Sequence, residues 1–114
     1  MHSIKLKRIY ETPLPEDGYR MLVDRLWPRG LKKENAAIDE WNKNVAPSPA
    51  LRKWFGHRAE RFQEFSKQYK LELKAQAEEI KRINAIARKQ TLTLLYAAKD
   101  EQVNHAIILC EVLK

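Results

Sequence analysis

The spacing of hydrophobic residues predicts three strands, two near the start of the chain and one near its end. Residues 4–10 begin with apolar and basic side chains in alternation, which is typical of a strand near the edge of a sheet. Residues 19–24 contain an unbroken apolar run, Met21-Leu22-Val23, which suits a strand covered on both faces. Residues 91–97 combine β-branched, leucine and aromatic side chains and predict a central strand.

The middle of the chain instead repeats its apolar residues at helical spacing. A helix over residues 58–73 has one apolar stripe, which consists of Phe62, Phe65, Tyr69 and Leu73. Residues 74–89 continue this helix or form a second one after a brief break. A further helix is expected between residues 35 and 45, with an apolar face formed by Ile38, Trp41 and Val45.

Two other helices have recognisable ends. Ser48 suits the N-cap of a short helix, Pro49 its first position, and Gly56 the residue after its last turn. Asp100 and Glu101 are expected to open the last helix, because acidic side chains are favourable at the positive end of the helix dipole.

This order of elements predicts an α/β protein with a helix-rich middle. We expect a small, mainly parallel sheet of about three strands with helices packed on it, in a single domain spanning residues 1–114. The connection between the first two strands is short for a parallel crossover, which usually needs a dozen or more residues. The pattern by itself therefore leaves a hairpin and a tight parallel connection open.

Composition adds a preference for negatively charged partners. The 114 residues include 22 Lys and Arg against 15 Asp and Glu, a net charge of +7. Such a field favours nucleic acid, a phosphorylated metabolite or an acidic protein, although many small proteins are equally basic without such a partner. No apolar run approaches the roughly 20 residues of a membrane span, and one cysteine excludes an internal disulfide. We expect a basic cytoplasmic protein without a metal, a cofactor or a membrane partner.

Charged and phenolic side chains follow the ends of the second and third strands. Asp24, Arg25 and Arg29 follow the second strand, whereas Tyr96 and Lys99 end or follow the third. Ligands of open α/β sheets bind at the carboxyl ends of the strands, so these residues are candidates for an anion site if the two strands are parallel neighbours. The alternative is an ion pair of Asp24 with Arg25 or Lys99 that only joins the strand ends.

A second basic and aromatic group lies at residues 51–58. Arg52 and His57 could close the same site as an anion clamp with a titratable imidazole. The aromatic side chains could stack on single-stranded nucleic acid. We favour a core position for these aromatic residues, which are Trp54, Phe55 and Phe62.

The chain carries no familiar catalytic motif. It has no phosphate-binding glycine loop, nucleophile elbow, zinc-ligand spacing or dinucleotide fingerprint. Cys110 lies on the apolar face of the last helix and is interpreted as a small core residue. His105 lies in the first turns of the last helix, near the proposed anion site, and the alternative is an exposed helix residue without a role there.

Several motifs, taken in order, resemble the YeaO-like branch of the family called domain of unknown function 488. The matching segments are residues 17–20, 22–30, 46–48, 51–57 and 93–100, together with Trp41. Longer members of that family carry a helix between the first two strands, and their strand ending in Val-Asp-Val-Arg is similar to a strand end of rhodanese-like domains. The resemblance therefore implies parallel strands here. It brings no established activity.

The resemblance also bears on the chemistry of the site. Longer members carry a Cys-Ala-Glu-Lys type motif after the last strand, and Tyr96 stands at the position that resembles its cysteine. Sulfur or phosphate transfer through a cysteine is therefore not expected. The matching motifs contain five candidate residues, which are Arg25, Arg29, Arg52, His57 and Lys99. Their presence there favours one shared pocket.

The sequence thus predicts a pocket for a phosphate- or sulfate-like small molecule at the carboxyl edge of the strands, used for binding or for catalysis. The candidate ligand-binding residues are Asp24, Arg25, Arg29, Arg52, His57, Tyr96 and Lys99. Two alternatives stay open, a nucleic-acid-binding module and a structural or protein-interaction module. No feature of the sequence specifies the ligand or the oligomeric state.

Overall fold

A computed structural model describes residues 3–114 and shows a four-stranded sheet with helices packed on it. The strands are β1 (Ile4–Arg8), β2 (Tyr19–Leu22), β3 (Glu40–Trp41) and β4 (Leu92–Tyr96). The helices are α1 (Lys33–Ala36), α2 (Pro49–Phe55), α3 (Phe62–Lys74), α4 (Ala77–Lys89) and α5 (His105–Leu113), with short 3-10 helices at Pro15–Asp17 and Ala59–Arg61. Within residues 3–114, no helix has the length and apolar character needed to cross a membrane.

The sheet is parallel throughout and has the strand order β1-β4-β2-β3. Leu94 of β4 pairs with Leu6 of β1 on one side and with Met21 of β2 on the other. All residues of β4 are buried, as expected for a central strand. The predicted α/β class and mainly parallel sheet are confirmed. The first two strands form neither a hairpin nor a direct pair, because β4 lies between them.

The main core lies between the sheet and the longer helices. Phe65, Tyr69 and Leu73 of the predicted stripe are all buried in it, and so is Cys110. The Tyr69 hydroxyl donates a hydrogen bond to the carbonyl of Val45. Burial raises the pKa of Tyr69 well above its ordinary value, so the phenol stays protonated and can donate. The predicted stripe and the core position of the cysteine are confirmed.

The three other aromatic residues have different positions. Phe55 is buried in the main core, and Phe62 packs against its margin. Trp54 is 42% exposed, so its predicted core position is wrong. α2 buries Leu51 and Phe55, which are four residues apart and share a face, and this leaves Trp54 on the outside. The guanidinium of Arg61 lies 5.2 Å from the centre of the Trp54 ring.

Loop segments cover part of the opposite face of the sheet. Leu22 and Leu95 pack there in a second, smaller apolar cluster. Trp27 and Trp41 meet edge to face against it, with ring centroids 5.2 Å apart. The loops after β1 and β2 are therefore packed against the sheet by apolar contacts.

A polar cluster of Lys7, Asp17 and Arg20 lies on this same face, and Asp17 and Arg20 are buried while Lys7 is partly buried. The Asp17 carboxylate accepts a hydrogen bond from Lys7 Nζ at 3.0 Å and another from the Arg20 guanidinium. Arg20 also donates to the carbonyls of Ala36 and Ala37. Each of these charges has a hydrogen-bonded partner, which is the condition for keeping it out of water.

The helix predicted between residues 35 and 45 is wrong. α1 spans only Lys33–Ala36, and Ala37 ends it with a left-handed backbone (φ 49°, ψ 45°). The chain then pairs with β2 instead of continuing as a helix. The amide of Asp39 donates to the carbonyl of Arg20 and the amide of Asn42 to that of Leu22, both at 2.8 Å. Edge pairing to an existing strand thus outweighs the helical spacing of three apolar residues.

The start of the last helix also differs from the prediction. α5 begins at His105, and the Asn104 side chain accepts a hydrogen bond from the amide of Ile107. Asp100 lies in the preceding bend, where its carboxylate accepts hydrogen bonds from the amides of Gln102 and Val103. An asparagine N-cap therefore opens the helix in place of the two acidic residues.

Replacing the exposed Ala37 with glycine is expected to stabilise the protein by about 0.5 kcal/mol. A left-handed alanine costs roughly 1–2 kcal/mol, and the greater freedom of glycine in the unfolded chain offsets part of the gain. Urea denaturation measures the difference. Ala85→Gly, at an exposed position within α4, is the control and should destabilise by about 1 kcal/mol. Equal losses in both variants would contradict a strained Ala37.

Candidate functional site

A cavity of about 600 Å³ opens beyond the carboxyl ends of β2 and β4. Its walls come mainly from the segment after β2, the segment after β4, α2 with the residues at its two ends, and the start of α5. Tyr10 after β1 and Phe65 of α3 each add one residue. The parallel pairing of β2 with β4 is what brings the first two segments to the same edge of the sheet. This is the edge at which ligands of open α/β sheets bind.

Asp24 joins the ends of the two strands at the floor of this cavity. Its Oδ2 accepts a hydrogen bond from the amide of Ala97 at 2.9 Å, and its backbone carbonyl accepts one from Trp41 Nε1 at 2.7 Å. Its Oδ1 is buried and lies 3.1 Å from Nε2 of His105. Oδ1 has no hydrogen-bond partner within residues 3–114, and the nearest ionisable side chain is that of His105. Asp24 therefore forms no ion pair with Arg25 or Lys99, and the suggested pair is wrong.

His105 is a residue of the cavity whose role the sequence does not reveal. As the first residue of α5 it is only partly exposed, because its ring packs edge-on against Tyr69 with centroids 6.1 Å apart. Its Nε2 lies 2.9 Å from the carbonyl of Val23 as well as close to Asp24. Since a backbone carbonyl only accepts hydrogen bonds, the contact with Val23 requires a hydrogen on Nε2. The sequence signal that could have indicated this role is the Asn104-His105 pair, which begins a helix after the central strand.

Arg25 connects the cavity to the segment that precedes α2. Its Nε donates to the carbonyl of Pro47 at 3.0 Å and its Nη2 to that of Ala46 at 3.3 Å. Both acceptors are neutral. The guanidinium is thus held in place while its positive charge is not cancelled by a carboxylate within 4 Å in residues 3–114.

Three exposed cations complete the basic lining, and each comes from a different segment. They are Arg29, Arg52 and Lys99. In the part of the chain that the structure describes, none of their side chains forms an ion pair with a carboxylate. With Arg25, the lining has four cations against two acidic residues, Asp24 and Asp100, whose carboxylates accept hydrogen bonds from backbone amides. The cavity therefore has an excess of positive charge.

His57 reaches the cavity through an uncommon backbone turn. α2 has the predicted ends, with Ser48 Oγ accepting from the amide of Leu51 and Gly56 adopting φ 53°. His57 follows with φ 59°, a conformation that side chains other than glycine rarely adopt. Two successive left-handed residues reverse the chain, so that Arg52 and His57 both line the cavity. Such strain in a non-glycine residue is a known feature of functional sites.

Tyr96 is the one candidate residue that does not line the cavity. Its side chain is 3% exposed and packs in the main core with Leu92 and Leu94, which share its face of β4. Burial raises the pKa of its phenol. The structure therefore brings six of the seven candidates together, which are Asp24, Arg25, Arg29, Arg52, His57 and Lys99.

The cavity offers no cysteine nucleophile and no visible metal-ligand set. Cys110 is 5% exposed in the main core, and burial raises the pKa of its thiol. Within residues 3–114, no three His, Cys, Asp or Glu side chains are grouped as metal ligands. The chemistry available among these side chains is charge interaction and hydrogen bonding by the basic residues, together with proton transfer by the imidazoles of His57 and His105.

The chain is similar to several proteins and to one family model. A model described as "Inactive DUF488-N3 subclade" matches residues 3–114. "Uncharacterized protein YeaO" of Escherichia coli is 48% identical over 112 residues, covering 98% of this chain and 97% of the relative. "Uncharacterized protein Mb3100c" of Mycobacterium bovis and "Uncharacterized protein Rv3073c" of Mycobacterium tuberculosis are each 36% identical over 110 residues, covering 96% of this chain and 92% of the relative. No solved structure matches. The chain belongs to the DUF488 family, in the subclade that this model describes.

Proposed function

We propose that the cavity binds a small anion of the phosphate or sulfate type. The proposal rests on the convergence of four cations from three segments, none of which pairs with a carboxylate within residues 3–114. They are Arg25, Arg29, Arg52 and Lys99. Holding such like charges together is unfavourable unless an anion neutralises them. The start of α5 adds the positive end of a helix dipole beside the same cavity.

Binding without covalent catalysis fits the side chains of the site better than group transfer. A transfer through cysteine would need a thiolate at the strand end, whereas Tyr96 stands there and the only cysteine is in the core. The word "inactive" in the description of the matching family model agrees with this proposal. Any proton transfer by an imidazole at this site would involve His57 or His105, because both line the cavity.

The proposal predicts that phosphate or sulfate stabilises the protein against heat beyond chloride at equal ionic strength. At 100-fold excess over the dissociation constant, the stabilisation is about 2.7 kcal/mol. Arg52→Ala and Lys99→Ala each remove one charged contact and should weaken binding roughly tenfold. Both side chains are exposed, so the unliganded variants should unfold near the parent temperature. Differential scanning fluorimetry measures both quantities.

Substitutions of cations outside the cavity distinguish binding at a specific site from a general effect of the protein's positive charge. Arg88→Ala and Lys89→Ala remove exposed cations from the last turn of α4, outside the cavity, and should leave anion stabilisation unchanged. If neither anion raises the unfolding temperature, the proposal is wrong. A nucleic-acid module would instead bind single-stranded oligonucleotide with a steep salt dependence, equally weakened by the cavity and the α4 substitutions. A structural role would show Arg52→Ala and Lys99→Ala destabilising the protein without any anion effect.

A further inference from the structure

The cavity is much larger than a bare phosphate or sulfate ion needs. Its volume of about 600 Å³ falls within the range of roughly 300–1,000 Å³ that is usual for sites of drug-sized ligands. The cations occupy only part of its lining. The remainder is mainly apolar and includes Trp27, Pro28, Phe55 and Phe65.

These apolar walls are held by contacts with one another and with residues outside the cavity. Trp27 Nε1 donates to the carbonyl of Leu31 at 2.7 Å, and its ring packs edge-on against Trp41. The rings of Phe55 and Phe65 are stacked with centroids 4.2 Å apart. Since the wall residues are already packed, the cavity is preformed rather than dependent on closure around a ligand.

Leu26 is an apolar residue that does not pack in either apolar cluster of the protein. It lies between Arg25 and Trp27 in the cavity lining and is 58% exposed. Arg25, which precedes it, is one of the cations of the cavity, and Trp27, which follows it, is part of the apolar lining. Leu26 is therefore placed to contact an apolar group whose anionic end lies among the basic residues.

From these features we infer that the ligand is an anion joined to an aromatic or similarly flat apolar group, such as an aryl phosphate. The inference rests on the proposed anion site and adds the chemical class of its ligand. The basic residues bind the anionic end. The flat group lies against the apolar walls and Leu26, where its removal from water contributes to affinity.

Calorimetric titration with inorganic phosphate and with phenyl phosphate tests this inference directly. Phenyl phosphate should bind at least roughly tenfold more tightly, because its ring buries apolar surface that phosphate lacks. Leu26→Ser should reduce this affinity ratio by roughly threefold or more. Leu71→Ser is the control, since Leu71 is 57% exposed on α3 and does not line the cavity; the ratio should not change in that variant.

The outcomes distinguish this inference from the proposal beneath it. Equal affinities for phosphate and phenyl phosphate would overturn the aromatic ligand while leaving the anion site intact. A tenfold preference that survives in Leu26→Ser as fully as in Leu71→Ser would place the ring elsewhere and also overturn it. If neither compound binds, the proposed anion site is wrong, and the inference about its ligand is then wrong as well.

Discussion

Asp17→Asn is expected to destabilise the protein by about 3–5 kcal/mol, the usual cost of removing one partner of a buried ion pair. The Asp17 side chain is 5% exposed and faces both Lys7 and Arg20, so the substitution leaves the buried Arg20 and the partly buried Lys7 without their counter-charge. The carboxylate also accepts a hydrogen bond from the amide of Leu14 at 3.0 Å. Urea denaturation at neutral pH measures the loss.

The same cluster predicts how stability depends on pH. Burial by itself would raise the pKa of Asp17, but hydrogen bonds from Leu14, Lys7 and Arg20 outweigh it, and the pKa lies below the ordinary value of 3.8. A lowered pKa in the folded state means that the contribution of Asp17 is complete above the unfolded value and is lost as the pH falls through the folded one. The parent protein should therefore lose stability below about pH 4, and Asp17→Asn should lose less over that range.

The neighbouring exposed Glu16 provides the control for both measurements. Its side chain makes no hydrogen bond or ion pair within residues 3–114, so Glu16→Gln should change stability by less than about 0.5 kcal/mol. A loss in Asp17→Asn no greater than in Glu16→Gln would contradict the structural role assigned to the polar cluster.

Gly18→Ala is the second substitution expected to have a large effect, at about 3 kcal/mol or more. Gly18 has φ 64° and ψ −127°, a backbone conformation that is readily accessible only to glycine. A Cβ atom there would lie 2.2 Å from the carbonyl oxygen of Thr91. That oxygen cannot easily move, because it accepts a hydrogen bond from the amide of Tyr19 at 2.8 Å at the start of β2.

Gly56→Ala separates the clash from the backbone strain. Gly56 also has a positive φ, 53°, but an added Cβ would meet nothing closer than the Lys53 carbonyl oxygen at 3.6 Å. Only the left-handed strain remains there, about 1 kcal/mol. Thermal or urea unfolding of both variants measures the difference. Similar losses in the two variants would show that the Gly18–Thr91 approach is not as close as the structure indicates.

Local sequence signals predicted much of this fold because they describe interactions between near neighbours. The ends of α2 follow from Ser48, Pro49 and Gly56, whose backbone preferences act within one turn. The aromatic stripe of α3 follows from helical spacing alone. β4 is apolar along its whole length, which places it at the centre of a sheet.

Sequence order also located most of the candidate site, because ligand sites of parallel sheets lie at one edge. Arg25 and Lys99 reach the same cavity for this reason. The rule does not predict on which face of the sheet the Tyr96 side chain lies. Residues at a strand end alternate between faces, and the phenol of Tyr96 lies in the core.

The sequence by itself determined the α/β class, the order of most elements and the basic character of the strand edge, since each depends on local pattern or on composition. Only the tertiary structure decided contacts between distant segments. Residues 39–42 pair with β2 and do not form the predicted helix, because backbone carbonyls of β2 accept hydrogen bonds from the amides of Asp39 and Asn42. The Asp24 carboxylate lies next to the imidazole of His105 because the start of α5 is beside the end of β2. Such contacts depend on where separate elements meet in space, which no spacing along the chain specifies.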